Sequence, residues 1–234
     1  EISKKLLKFF DFAKGTFKND PIVEILLLKR KNLIHKARGK LKVFQEILQD
    51  LKQKNKLHYA FGYVPEGYEK GKEDSRLIED YLIAASEAVP GLKSNSYTTH
   101  DEKLNEIIRG FSEGKIDLLL AMKMLDEGVD IPRAEIGIFC SSTGNPRQFI
   151  QRRGRLLRKH PDKAFAIIHD MVVIPRMSWH SGDTYKMETN MVKNELRRVG
   201  YFASLSMNFY DSKENLESVC TKYNLELDQI IEDL

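Results

Sequence analysis

Apolar residues at positions 6, 7, 9 and 10 and then at 41, 44, 47, 48 and 51 recur at helical spacing, which predicts a helical lead-in over residues 1–55, broken at Pro21. From residue 56 the period shortens. Leu57-His58-Tyr59-Ala60-Phe61-Gly62-Tyr63-Val64 is a β-favouring run stopped by Pro65-Glu66-Gly67. Beyond it the pattern predicts a helix over 74–89, a strand over 93–98, a helix over 102–111, strands over 117–121 and 135–140, a helix over 146–157 and a strand over 164–169. Alternation of strand and helix predicts a mostly parallel sheet, and right-handed crossovers would put helices on both of its faces, with the loops that follow the strands at one rim. Residues 176–185 read as a polar, aromatic loop. Met187, Met191, Leu196, Val199, Phe202 and Leu205 then form a helical stripe over 186–208, and a last pair of short helices would hold Leu216, Val219, Tyr223, Ile230 and Ile231. The expected architecture is therefore a three-layer α/β domain over 56–175, with helical segments at 1–55 and 176–234.

Composition narrows this picture. With 41% hydrophobic residues the chain can build one well-cored domain and an accessory element. Thirty-eight Lys and Arg against thirty-four Asp and Glu leave a net charge of +4, which permits a polyanionic partner without demonstrating one. Two cysteines, Cys140 and Cys220, and the absence of a signal-like start argue against a disulfide framework, so a reducing cytoplasm is the expected setting. No apolar run approaches membrane-spanning length, and no membrane partner is expected. The chain opens at Glu1, with neither an initiator methionine nor a targeting segment, and is expected to be part of a longer protein. Its six histidines are scattered without paired cysteine or carboxylate spacing, so no metal site is expected.

Candidate chemistry concentrates in two blocks, residues 118–132 and 151–158. In the second, Gln151, Arg155 and Arg158 fall at i, i+4 and i+7, so one helix would aim all three to one side. Gly154 removes a side chain beside them and permits close approach of another surface. Guanidinium is permanently charged and fork-shaped, which suits the oxygens of a transferring phosphoryl group. In the first block Gly128 allows a tight backbone path, and Asp130 can accept hydrogen bonds from sugar hydroxyls. The two blocks are expected to meet at one rim of the sheet. Each has a bland counterpart, a solvated basic helix face for the arginines and a turn or capping role for Asp130. The complete run Gln151-Arg152-Arg153-Gly154-Arg155-Leu156-Leu157-Arg158 favours the chemistry.

Together the blocks resemble motifs V and VI of superfamily 2 helicases, and Glu127-Gly128-Val129-Asp130-Ile131-Pro132 is close to the form found in type III restriction and related DNA-repair helicases. Residues 57–170 resemble the second RecA-like domain of these proteins, with residues 57–63 similar to motif IV and Thr98-Thr99-His100 similar to the segment before motif V. The resemblance implies that Arg155 and Arg158 are arginine fingers for ATP held by a partner domain, with Gln151 coupled to the same site. It implies that Asp130 and Gly128 meet the ribose. It also implies that Gly62, Tyr63, Thr98, Thr99, Met122 and Lys123 lie along one nucleic-acid strand, DNA being expected and RNA left open. Many relatives carry threonine at 122 and an acidic residue at 123; the hydroxyl-to-phosphate contact is then lost, and Lys123 could replace it by direct charge pairing.

No Gly-x-x-x-x-Gly-Lys-Ser/Thr loop and no Asp-Glu-x-His run occurs in the sequence. ATP and Mg2+ are therefore expected to be held mainly by an N-terminal RecA-like lobe of the same polypeptide, and this chain alone is expected not to hydrolyse ATP. The other class weighed is a non-catalytic nucleic-acid-binding or interaction module that keeps the fold; a restriction subunit with a nuclease elsewhere is a third. Trp179 and Tyr185 could stack on a base or anchor a loop. Lys29-Arg30-Lys31, with Lys36, Arg38, Lys40 and Lys42, could track phosphates or form a solvated face, and His169-Asp170 could be a pair at a strand end.

Overall fold

The structure is a computed structural model that describes residues 1–11, 13–14, 16–65, 67–69, 72–98, 103–122, 131, 133–141, 146–175 and 182–232, with the backbone alone described at 68–69, 72–76, 146–149 and 152. In chain order the elements are α1 (Ile2–Leu7), β1 (Phe10–Asp11), β2 (Thr16–Phe17), α2 (Pro21–His35), α3 (Gly39–Gln53), β3 (Ala60–Tyr63), β4 (Tyr68–Glu69), β5 (Lys72–Arg76), α4 (Leu77–Ala88), β6 (Ser94–Tyr97), α5 (Leu104–Ser112), β7 (Leu118–Ala121), β8 (Ile136–Phe139), α6 (Pro146–Leu156), β9 (Ile167–Asp170), α7 (Asp183–Ser204), α8 (Phe209–Tyr223) and α9 (Leu227–Glu232). They form two compact units, residues 35–171 and residues 1–34 with 172–234.

The first unit is built on a five-stranded sheet in the order β6-β7-β3-β8-β9. Every neighbouring pair is parallel, with Ala60 opposite both Leu118 and Ile136 at the centre. The sheet and the three-layer α/β class are as the sequence predicts. The three inner strands are buried at every position because helices cover both faces, which explains their continuous apolar runs. On one face Ala60, Val64, Leu118, Leu120, Ile136 and Ile138 pack with Phe44, Leu48 and Leu51 of α3 and with Ile78, Tyr81 and Ala85 of α4. On the other, Phe61, Tyr63, Leu119, Ala121 and Phe139 pack with Phe111 of α5, Leu156 of α6, and Ile131 and Ala134. Side chains alternate along each strand, so the sheet serves two separate cores.

Several boundaries differ from the sequence reading. The α/β unit starts at residue 35 rather than 56, because the apolar stripe of α3 covers the sheet instead of belonging to a lead-in. Residues 72–76 pair with 68–69 as an antiparallel hairpin, so the helix expected from 74 begins at Leu77. The segment 1–55 is not helical throughout, since β1 and β2 pair antiparallel with Phe10 opposite Phe17. Pro21 does end the first part: it opens α2 as the first helical residue, while the Asp20 carboxylate accepts from Ile22 N at 2.7 Å.

In the second unit, Leu6, Val23 and Leu26 share a cluster with Met187 of α7, while Val192 and Leu196 of α7 pack with Tyr223, Leu227 and Ile230. Tyr185 lies within α7, not in a loop, and stacks on Tyr223 with ring centroids 6.2 Å apart. Trp179 lies outside the described residues.

Two glycines make room for a leucine, Gly62 for one on the neighbouring strand and Gly137 for one on the covering helix. A Cβ on Gly62 would sit 2.5 Å from Leu120 Cδ2, and one on Gly137 would sit 2.1 Å from Leu156 Cδ1 and 3.2 Å from Phe139 Cε2. Leu156 is fully buried and has no open space to retreat into. Gly137→Ala is expected to lower stability by about 1–3 kcal/mol through overpacking, to be read from the urea midpoint of the purified chain.

Candidate functional site

Parallel pairing puts the carboxyl ends of all five strands at one rim. Thr98 follows β6 there and is 8% exposed; Met122 follows the neighbouring β7, half-buried against the α3–α4 core. Ser141 follows β8, 6% exposed, with its Oγ 2.9 Å from His35 Nδ1. Gly62 and Tyr63 lie inside the sheet. The Tyr63 ring is 1% exposed, stacked on Phe139 at 4.9 Å, so it serves the core in this structure and does not line a surface as expected. Thr99, Lys123, Gly128 and Asp130 lie outside the described residues. Ile131, immediately after that stretch, is buried in the same cluster as Leu156 of α6. Leu119, Ala121 and Ile131 of the first block thus share a face of the sheet with Leu156 of the second.

As the return limb between two parallel strands, α6 runs back from the rim. Its inner side is fixed at three places. Leu156 sits over Gly137. The Leu156 carbonyl accepts from Lys163 Nζ at 2.8 Å, and the same ammonium donates to the Ala134 carbonyl at 2.9 Å, just ahead of β8. Burial lowers the Lys163 pKa, while Glu135 opposes the shift. The third anchor is an ion pair between Arg153 and Asp170, the last residue of β9, with side chains 2% and 8% exposed. Arg153 also lies 5.8 Å above the centre of the Phe139 ring.

Gln151, Arg155 and Arg158 fall on the other side of the run. Gln151 is exposed and Arg155 half-buried. Arg158 lies beyond the last residue of α6, its N–H reaching the Arg155 carbonyl at 3.4 Å, and is exposed. The helix ends one residue before the expected 157, so Arg158 is carried by the turn that follows. A second expectation is also corrected. The arginines do not stand at the carboxyl rim, because a crossover helix runs opposite to its strands and its last turn lies beside Ala134 and Gly137, near the start of β8. Arg155 and Arg158 are presented along the face of the unit instead.

Sequence reasoning singled out neither Arg153 nor Lys163. The signal for Arg153 was available: it stands at i−3 from Leu156, on the same helical side as the buried leucine. His169 and Asp170 point to opposite faces, as neighbours on a strand must. Asp170 meets α6, whereas His169 feels Asp50 of α3 and Lys54 just beyond it. Burial lowers the His169 pKa, Asp50 partly offsetting it, and its Nε2 has no hydrogen-bond partner.

This is a RecA-like α/β domain with a basic run carried on an anchored helix. A family model for the helicase conserved C-terminal domain matches residues 69–160, and the α/β unit resembles the C-terminal domains of superfamily 2 helicases. Among curated proteins the chain is 29% identical over 136 residues to the DNA 3'-5' translocase XPB2 of Sulfurisphaera tokodaii, covering 58% of this chain and 27% of the translocase. It is 36% identical over 67 residues to a Dicer-like protein 2 of Cryphonectria parasitica, covering 29% of this chain and 5% of that protein. The solved structure of T4 UvsW superposes with a TM-score of 0.51 at 16% identity, over 88% of this chain and 37% of UvsW, a likeness of fold. The chain therefore spans about a quarter of the translocase's length. Among the described residues no helix is long and apolar enough to cross a membrane.

Asp170→Ala, which leaves a buried guanidinium without its carboxylate, is expected to cost about 3–5 kcal/mol, against no measurable loss for Arg158→Ala, as read by denaturant titration of both variants. His169 supplies a pH dependence. Its folded pKa lies below the unfolded value, so the unfolded chain binds more protons and stability rises with pH. Thermal midpoints should fall on acidification from about pH 7 through the unfolded histidine pKa of about 6.5, and His169→Gln should flatten that slope.

Proposed function

We propose that the chain is the second motor lobe of a superfamily 2 DNA helicase or translocase, contributing Arg155 and Arg158 to an ATP site whose phosphate-binding part lies on a first RecA-like lobe. The observation that carries this reading is the two-sided character of α6. Its inner side is committed to the sheet through Leu156 and Arg153, while Gln151, Arg155 and Arg158 lie outward. Guanidinium groups fit an ATP polyphosphate, since their fork can meet two oxygens at once and keeps its charge at any working pH. Among the described residues Asp170, the carboxylate that meets α6, is paired with Arg153, and Mg2+ would be held mainly by groups of the first lobe. Asp130 would accept from the ribose, with Gly128 shaping its loop and Gln151 hydrogen-bonded at the same site.

When both lobes close on ATP, the outward arginines would enter the shared site and stabilise charge on the phosphoryl oxygens. Thr98, Thr99, Met122 and Lys123, at or after the carboxyl ends of β6 and β7, would meet one nucleic-acid strand mainly through its phosphates. DNA is favoured by the likeness to a DNA translocase. A cytoplasmic setting fits the two unpaired cysteines.

In the protein carrying both lobes, Arg155→Ala and Arg158→Ala are each expected to lower nucleic-acid-stimulated ATP turnover by roughly 10³-fold or more, with ATP binding changed little. Unchanged turnover in both variants sinks the finger assignment. A wild-type protein that binds DNA or RNA without any ATPase activity would instead establish the non-catalytic module.

A further inference from the structure

We infer that the Arg153–Asp170 ion pair selects the rotational setting of α6, and so decides which arginines of the run are presented outward. This rests on the finger reading above only for its catalytic consequence. Among the described side chains of α6, apolar packing alone does not choose the setting. Leu156 is followed by Leu157, which is 60% exposed, and Ile150 on the same outer stripe is 53% exposed. Ile150, Gly154 and Leu157 fall at i, i+4 and i+7, an apolar seam of the kind that normally faces a core. At Gly154 an added Cβ would meet nothing within 4 Å. A roll of about 100°, one residue of helix, would bring Leu157 over Gly137 in place of Leu156, and Gly154 into the place of Arg153. Leucine replaces leucine, and glycine buries no polar group.

What that roll would lose is the ion pair. Asp170, 8% exposed, would be left facing a glycine, and Arg153 would leave a site where it is 2% exposed. A buried polar pair that discriminates between two apolar-compatible registers is the best-attested use of such pairs. The Lys163 ammonium gives weaker discrimination, because its flexible stem can follow a carbonyl that moves with the roll. In the observed setting Arg155 and Arg158 stay outward. After the roll both would be turned away by the same angle, and the exposed apolar seam would be buried. Arg153 and Asp170 are thus positioning residues, acting through α6 on groups they do not touch.

Thiol labelling of the purified chain separates this role from simple stabilisation. Cysteine is introduced singly as Leu156→Cys or Leu157→Cys, and modification at that site is followed by peptide mass, with Asp170 intact or as Asp170→Asn. With Asp170 intact, position 157 should label fast and position 156 slowly. In Asp170→Asn the order should reverse, labelling at 157 falling and at 156 rising by roughly tenfold, and Asp170→Glu should restore the original order. Equal acceleration at both positions would mean local unfolding and overturn the inference, as would an unchanged pattern. In the protein carrying both lobes, Asp170→Asn should lower kcat on the order of 10²-fold with KM for ATP within about threefold. Absence of ATPase activity in the wild type would remove the finger reading while leaving the labelling result to decide the register.

Discussion

The seating of Leu156 over Gly137 is the contact from which the useful surface of this domain follows. A parallel sheet has to be covered on both faces, and the cover over β8 and β9 is the same helix that carries the basic run. Close approach is possible because β8 has a hydrogen where other positions have a methyl group or more. With α6 so near, its inner side has no room for solvent, and any charge there must bring its own partner. Arg153 finds one in Asp170, while Arg155 and Arg158 are left off the inner side.

The opposite face obeys the same constraint differently. There α3 and α4 meet each other through an aromatic contact, Phe44 edge-on to Tyr81 at 5.1 Å, and the buried Tyr81 hydroxyl bonds the Cys140 thiol. Burial pushes that thiol up to about 12, so it packs as a small apolar residue. The division of labour between the faces arises from side-chain alternation along β3, β7 and β8, one set of residues building a sealed core and the other the floor under α6.

Much of this was legible in the sequence, and the failures have a common physical cause. Strands buried on both faces leave uninterrupted apolar runs such as Leu118-Leu119-Leu120-Ala121, and covering helices leave stripes, so the sheet and its alternation could be read directly. The hairpin at 68–76 could not, because Lys72-Glu73-Asp74-Ser75-Arg76 has no apolar alternation and takes its extended form from pairing with β4. Periodicity identified α3 as a helix but could not say which surface it covers. At the candidate site the spacing turns Gln151, Arg155 and Arg158 to one side of the helix, whereas the burial of Arg153 goes against the usual exposure of charged residues. The position of Asp170, 17 residues on, shows where its charge is taken up.

The two close glycine contacts also bear on how such a domain can diverge. At 62 and 120, and again at 137 and 156, the volume of one residue is set against the absence of volume at the other. A larger residue at 137 is admissible only with a smaller one at 156, yet 156 lies inside the basic run and 137 does not. The substitution history of an interior strand position is thereby tied to that of the surface helix, and the two should change together or not at all.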